Sequence, residues 1–547
     1  MRDGVTWDVL APAPAVPSAW RRNVGVLAVA TALAATTAVA GVTALHGGRS
    51  LAPVQVGANP WFASLWSTPS STTPLPDLAS VEKVVGAQTA WASGANGKGI
   101  DVALIDSGVV PVAGLNGPNK LVIGPDLSFD GQNPDLAGLD SYGHGTAMAG
   151  IIAGNDGTPG GFMGVAPQAR IVSIKVGAAN GAVDVSQVIA GIDWTVQHAH
   201  DDGLNIRVMN ISLGTSSPQR YQLDPLAHAA ENAWRHGIVV VASVGNNGTG
   251  VASVADPAND PFVIAVGSSD PRGTVSIGDD SASTFSSKGS STRHADVLAP
   301  GAYIVGLRAP GSYLDQQFPG ARIGDRYFRG SGTSQAAAVV SGAVADILSA
   351  RPTLTPDGAK KVLLRTAQSV SGSSDVTGNG QIQIVPALTD TGGGDPTQTF
   401  TRSTGTGTLE GARGDSHVAI GGVTLTGEQD IFGNPWNAAQ IATAEEAGAT
   451  WSGGTFNGAT WSGATWSGAT WSGATWSGAT LSGATWSGAT WSGATWSGAT
   501  WSSVTWSGAT WSGATWSGAT WSGATWSGAT WSGATWSGAT WSGATWS

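Results

Sequence analysis

The sequence predicts an α/β domain, a mostly parallel central sheet with helices on both faces, joined to a low-complexity C-terminal repeat. Two observations carry the α/β assignment. Continuous apolar runs such as Val102–Ile105 and Ile238–Ala242 suit strands covered on both faces. Between the runs lie stretches of helical length with one apolar face or with small residues throughout, the alternation that right-handed crossovers between parallel strands produce.

Taken in order, residues 49–79 are rich in Pro, Ser, Thr and Gly and read as a linker or short pro-segment. Val84–Trp91 has the pattern of a short helix, stopped by Gly94-Ala95-Asn96-Gly97. Gly99–Gly108 reads as a strand that ends on the carboxylate of Asp106 and a turn. Ile171–Val176, Arg207–Ser212, Gly237–Ala242 and Phe262–Val266 read as further strands; Val185–His198 and Leu223–His236 read as helices. A small-residue helix runs from Ser334 to about Leu348, and Thr355–Ala367 closes a domain spanning 80–370. Residues 371–448, Gly/Ser/Thr-rich, read as a second linker before repeats at 449–547.

Composition narrows the function classes. The net charge of −11 argues against a nucleic-acid partner and gives no attraction to an anionic membrane surface. With no cysteine in the chain, disulfides, thiolate chemistry and Cys-ligated zinc are excluded. Arg21-Arg22 precede an uncharged run, Val24–Leu45, with Ala38-Val39-Ala40 offering a small-x-small cleavage site. Residues 1–48 therefore read as a secretory signal peptide or, since the run is long enough to span a bilayer, as an uncleaved membrane anchor. Its Ala and Thr content gives little insertion energy, which favours cleavage. Either way the bulk of the chain is expected outside the cytoplasm.

In such sheets, functional groups collect at the carboxyl ends of strands, where Asp106, Ser212 and Gly245-Asn246 fall. Arg329–Gly342 runs through small residues to one hydroxyl, Ser334, at the head of a buried helix. There the unpaired N–H groups and the helix dipole favour developing negative charge, which suits a nucleophile if a base and an orienting carboxylate come from elsewhere. An isolated Gly-Thr-Ser is otherwise an ordinary helix cap, so the partners decide. His144 stands in Ser141–Gly154, also at the head of a small-residue helix.

The order Asp106, His144, Ser334, each on a glycine-flanked turn, resembles the subtilisin family of serine peptidases. The resemblance implies that Ser334 attacks the scissile carbonyl, that His144 takes and returns its proton, and that Asp106 holds the imidazole in its working tautomer. Val239–Gly248 is similar to the family stretch that supplies an oxyanion-hole amide, which its position assigns to Asn246; Asn247 is a turn residue. Asn210-Ile211-Ser212-Leu213-Gly214 resembles the family's edge strand, implying that Ser212, Leu213 and Gly214 pair with the backbone of an extended protein or peptide substrate. Two stretches depart from the family pattern. Gln335, Ala338 and Val339 stand where the nucleophile helix usually has Met, Pro and His, and Ala147 replaces a second His after the first. Neither change removes a triad member.

The chemistry requires no cofactor. Relatives commonly use calcium as a stabiliser, but no Asp-rich loop here has a defensible ligand spacing. G-x-S-x-G and H-E-x-x-H are both absent, which disfavours an α/β-hydrolase and leaves a zincin unsupported. Arg413-Gly414-Asp415-Ser416 spells an adhesion tripeptide and reads as incidental. Secreted relatives usually carry an inhibitory pro-domain; the short stretch between Gly41 and Val81 implies folding without one, or restraint by a short peptide.

From Ala449 the chain repeats Ala-Thr-Trp-Ser-Gly to Ser547 without a charged residue, with Phe456 and Leu481 in the Trp slot. The register resembles pentapeptide-repeat proteins, whose coils stack into a four-sided β-solenoid. Thr and Trp at positions where that family has other residues leave an unstructured tract as the alternative. Exposed indoles are adhesive, so the tail reads as a cell-wall or polysaccharide tether, or as a spacer. The rival to an exported peptidase is a wall- or surface-binding protein with a degenerate peptidase domain.

Overall fold

The structure, a computed structural model, describes Trp66, residues 77–446 with short interruptions, and the three-residue strands of the repeat from 455 to 546. The proposed signal segment, residues 1–48, lies outside the described residues.

The main sheet uses β1 (Asp101–Asp106), β2 (Leu121–Asp126), β3 (Arg170–Lys175), β4 (Ile206–Ile211), β5 (Val239–Ser243), β6 (Ile264–Asp270), β7 (Ser281–Ala282) and β8 (Val297–Pro300). Its order is β2-β3-β1-β4-β5-β6-β7, with β8 also on β6. Every pairing is parallel except β6 with β7. After β2 forms the edge, β3 and β4 flank β1 on opposite sides and the later strands continue beyond β4, so the carboxyl end of β1 marks the topological switch point where such sheets bind ligands. A three-stranded sheet of β9 (Ile304–Leu307), β10 (Arg322–Ile323) and β11 (Tyr327–Gly330) stands beside it. Among the described residues the α-helices as far as residue 366 are α1 (Leu78–Val85), α2 (Ala87–Ala92), α3 (His144–Ala153), α4 (Val185–His198), α5 (Pro225–Arg235), α6 (Tyr313–Gln317), α7 (Thr333–Ala350) and α8 (Pro356–Thr366).

Side-chain parity places the helices on the two faces. Leu104 pairs with Asn210 and Ile105 with Ile211, so Asn210 and Ile105 point to opposite faces. Asn210 Nδ2 donates to Ser341 Oγ of α7 at 2.9 Å. Ile105 instead lines the space beside Gly191 of α4. So α7 covers one face and α4 the other, and Asp106, in phase with Leu104, points to the α7 face. Strands β1 and β5 are buried along their whole length, as unbroken apolar runs require.

Several boundaries differ from expectation for local reasons. The helix expected over 84–91 is two helices, because Gly86 takes φ 82° between them and ends α1 with a left-handed cap. Asp224 caps α5 through the N–H of Leu226, so Leu223 lies outside the helix. Ser212 lies just past β4, a central strand held on both sides by β1 and β5 rather than an edge.

Residues 371–448, expected as a linker, are instead largely packed onto the domain. They contain α9 (Ser374–Thr377), α10 (Ile384–Thr389), α11 (Leu409–Arg413), the hairpin β12 (Ala419–Ile420) and β13 (Val423–Thr424), and α12 (Ala438–Glu446). Polar anchors hold the segment. Arg413 is fully buried and donates to Asp184, the N-cap of α4, at 2.7 Å and to the Gly427 carbonyl at 2.6 Å. A guanidinium spent this way is not an adhesion-loop arginine. Ser403 Oγ donates to the Tyr221 carbonyl, and Asn232 Nδ2 to the Glu445 carbonyl.

In the repeat, Thr-Trp-Ser strands recur every five residues. All but the last four pair in parallel with the strand twenty residues on, Thr460 with Thr480 and Trp466 with Trp486, forming four separate sheets.

Candidate active site

Three elements that meet at the switch point carry the predicted residues. Asp106 ends β1, His144 is the first residue of α3, and Ser334 is the second residue of α7. All three are buried, the serine at 3% exposure. His144 Nδ1 lies 2.8 Å from Asp106 Oδ1 and 2.9 Å from Oδ2. A ring nitrogen facing two carboxylate oxygens carries the proton, which leaves Nε2 as the basic nitrogen. Ser334 Oγ donates to the Ser212 carbonyl at 3.0 Å, and Ser212 Oγ donates to the Asn210 side chain at 2.7 Å.

Backbone closeness brings the carboxylate turn against the head of α3. A Cβ added at Gly145 would stand 2.2 Å from the Gly108 carbonyl oxygen. Gly143, the N-cap of α3, has φ 109°, and a Cβ there would meet Ser312 Oγ at 2.4 Å. Glycine is required at both positions, one for approach and the other for approach and conformation.

Asn246 follows β5 and reaches the head of α7. Its Oδ1 accepts from the Thr333 N–H at 2.8 Å and from the Thr333 hydroxyl at 3.1 Å. Two donors on one atom set the amide's orientation and turn its NH2 the other way. Ser212 and Leu213 are buried and Gly214 half-buried, beyond the end of β4. A Cβ at Gly214 would be 2.7 Å from the Asp256 carbonyl oxygen, so that side of the segment is closed by backbone.

Sequence reasoning missed the support for His144. Asp140, buried, accepts from the N–H groups of Gly143 at 2.6 Å and Thr146 at 2.7 Å and from the Ser107 hydroxyl at 2.7 Å. Burial pushes its carboxyl upward against those hydrogen bonds. Ser107 Oγ in turn accepts from the Gly145 N–H at 3.0 Å. Asp140 therefore ties the turn after β1 to the first turn of α3; an aspartate three residues before a helix N-cap is the signal that could have found it. Trp66 was missed as well. It is buried, with its ring centroid 6.1 Å from the His144 ring, edge to face.

His198 and His236 bond to carbonyls one helical turn back, and His228 to the Ser403 carbonyl. Among the described residues no group of three His, Asp or Glu side chains is arranged to hold a metal ion. Likewise, no described helix is long and apolar enough to cross a membrane.

The chain is similar to known proteins over part of its length. Serine protease AprX of Bacillus subtilis (strain 168) is 38% identical over 275 residues, 49% of this chain and 61% of AprX. Subtilisin DY of Bacillus licheniformis is 31% identical over 306 residues, 56% of this chain and 96% of its own length. The crystal structure of fervidolysin from Fervidobacterium pennivorans, a keratinolytic enzyme related to subtilisin, matches with a TM-score of 0.46 at 31% identity, over 58% of this chain and 46% of that one. The pattern of the subtilase family, peptidase S8, matches residues 97–386, and the chain belongs to that family.

Proposed function

We propose that the protein is an exported serine endopeptidase that cleaves protein or peptide substrates through an acyl-enzyme. The observation that carries this reading is the buried contact of His144 Nδ1 with both oxygens of Asp106, on the face from which α7 presents Ser334. Ser334 Oγ leaves the Ser212 carbonyl, attacks the scissile carbonyl carbon and gives its proton to His144 Nε2. Negative charge then develops on the former carbonyl oxygen, stabilised by the Asn246 NH2 and by the backbone N–H of Ser334 at the head of α7. The C–N bond breaks as the amine takes the proton from His144, leaving an ester on Ser334. Water repeats the sequence with His144 again as base, releasing the acid and restoring the serine. Asp106 keeps the imidazole oriented throughout. Substrate backbone lies along Ser212–Gly214, which reads an extended chain with little side-chain demand.

Covalent labelling by a fluorophosphonate tests the assignment. The full chain is expected to take one label, lost in Ser334→Ala; an unlabelled wild-type protein that is folded would leave the surface-binding alternative. The N-terminal run directs export, with residues 24–45 either removed or kept as an anchor. The tail resembles pentapeptide-repeat proteins and serves as a wall or glycan tether, or as a spacer. Retention of the full chain, but not of one truncated before 447, on insoluble wall polysaccharide is expected for the tether; equal behaviour of the two leaves the spacer.

A further inference from the structure

Trp66 stands apart from the stretch around it. It precedes the first described helix, in a Pro/Ser/Thr-rich region with no apolar periodicity, yet its side chain is only 6% exposed. Its surroundings are the reaction centre. The indole meets the His144 ring edge to face and packs on Phe328 of β11 at 5.1 Å between centroids. A Cβ built on Gly330 would stand 2.5 Å from indole Cζ3 and 2.7 Å from Gln335 Nε2. The slot therefore exists because residue 330 has no side chain, and Gln335, directly after the nucleophile, borders it. A buried tryptophan normally finds a partner for its N–H, but among the described residues Trp66 Nε1 has none. The indole fits the slot by shape and not by a polar anchor, which suits an occupant that can leave.

The location says what it would displace. His144 returns its proton to the leaving amine, so a group against the imidazole, β11 and the residue after Ser334 occupies space needed by the part of the substrate that follows the scissile bond. The acyl part was assigned to Ser212–Gly214, past β4. We propose that Trp66 is a competitor in cis: its indole fills a pocket for a large planar aromatic side chain on the leaving-group side, restraining the enzyme until it is displaced. This rests on the peptidase reading above.

The test uses the full chain as wild type, Trp66→Ala and Trp66→Leu, with active sites counted by fluorophosphonate labelling and kcat/KM measured on quenched peptides carrying Trp or Ala after the scissile bond. If the indole holds the pocket about nine-tenths of the time, its removal raises kcat/KM about tenfold. The gain is expected to be larger for the Trp peptide than for the Ala peptide, with Leu intermediate. Labelled variants whose kcat/KM per labelled site stays within about twofold of wild type on both peptides would overturn the proposal while leaving the peptidase reading intact. Absence of labelling in all three folded proteins would instead remove the peptidase reading, and this proposal with it. Should neither variant fold by circular dichroism, Trp66 is a core residue and the proposal is overturned.

Discussion

Asn246 offers the sharpest separation of chemistry from structure at this site. Its amide has two ends: Oδ1 accepts from the Thr333 N–H at 2.8 Å, and the NH2, turned away by that contact, is the donor proposed for the oxyanion. Replacing it with alanine removes both. Loss of one of two oxyanion donors typically costs about a hundred- to a thousandfold in kcat, on the order of 3–4 kcal/mol, because the N–H of Ser334 remains. Loss of the acceptor uncaps the first turn of α7, worth roughly 0.5–2 kcal/mol of stability. Asn246→Asp keeps an acceptor for Thr333 and removes only the donor while adding a negative charge where negative charge develops. Aspartate should therefore match or exceed the kinetic loss of alanine while uncapping α7 less. Steady-state hydrolysis of a chromogenic peptide, with sites counted by covalent labelling, reads the first effect; chemical denaturation reads the second. Were both variants to keep kcat within threefold of wild type, or to change KM alone, the amide would not be acting on the transition state and the reasoning would be wrong.

Two further outcomes concern the segment after residue 371. Arg413 and Asp184 are both fully buried, so Arg413→Ala leaves an unpaired buried carboxylate and is expected to cost about 3–5 kcal/mol; an unchanged denaturation midpoint would return the segment to linker status. The docking of α12 should weaken with rising pH. Burial pushes Asp193 of α4 to about 8, and burial, then the Asp193 charge, push Glu445 well above the usual carboxylate range. Glu446 acts in the same direction on Glu445 and Arg235 against it, while burial lowers His228, 3.4 Å from Glu445. Folded-state pKa values above the unfolded ones mean that the stabilisation is complete below about pH 4 and declines as pH rises toward 8. Amide exchange over 438–446 should quicken between pH 6 and 9, and less so in Glu445→Gln; pH-independent protection would refute this.

Much of the fold was legible because the decisive strands are buried on both faces. Such strands cannot hide: Val102–Ile105 and Val239–Ala242 need apolar residues at every position. Strand β2 escaped notice because it is half-exposed and contains Gly124-Pro125. The short strands β8 to β11 offer four residues or fewer, too little for a period to register. Residues 397–446 misled for a different reason. Their attachment joins a few scattered apolar anchors, Leu409, Ala412 and Trp436 in the main core, to hydrogen bonds such as Thr408 N–H to the Gln219 side chain and Arg413 to Asp184, and a Gly/Ser/Thr-rich stretch with so few apolar residues has the composition of a linker.

At the site, what could be read and what could not have one physical origin. The glycines beside Asp106 and His144 are conspicuous in sequence because they are where backbone meets backbone: nothing but hydrogen fits between Gly145 and the Gly108 carbonyl. That closeness sets the Asp106–His144 contact, so the pattern that reveals the pair is also the cause of its geometry. Gly330 works through the same absence of a side chain, but it makes room for a ring from far upstream in the chain, and no local pattern ties the two. A missing Cβ that seats a neighbour along the backbone can be read from a motif. One that seats a distant indole becomes visible only when the chain is folded, which is why Trp66 read as linker although it stands against His144.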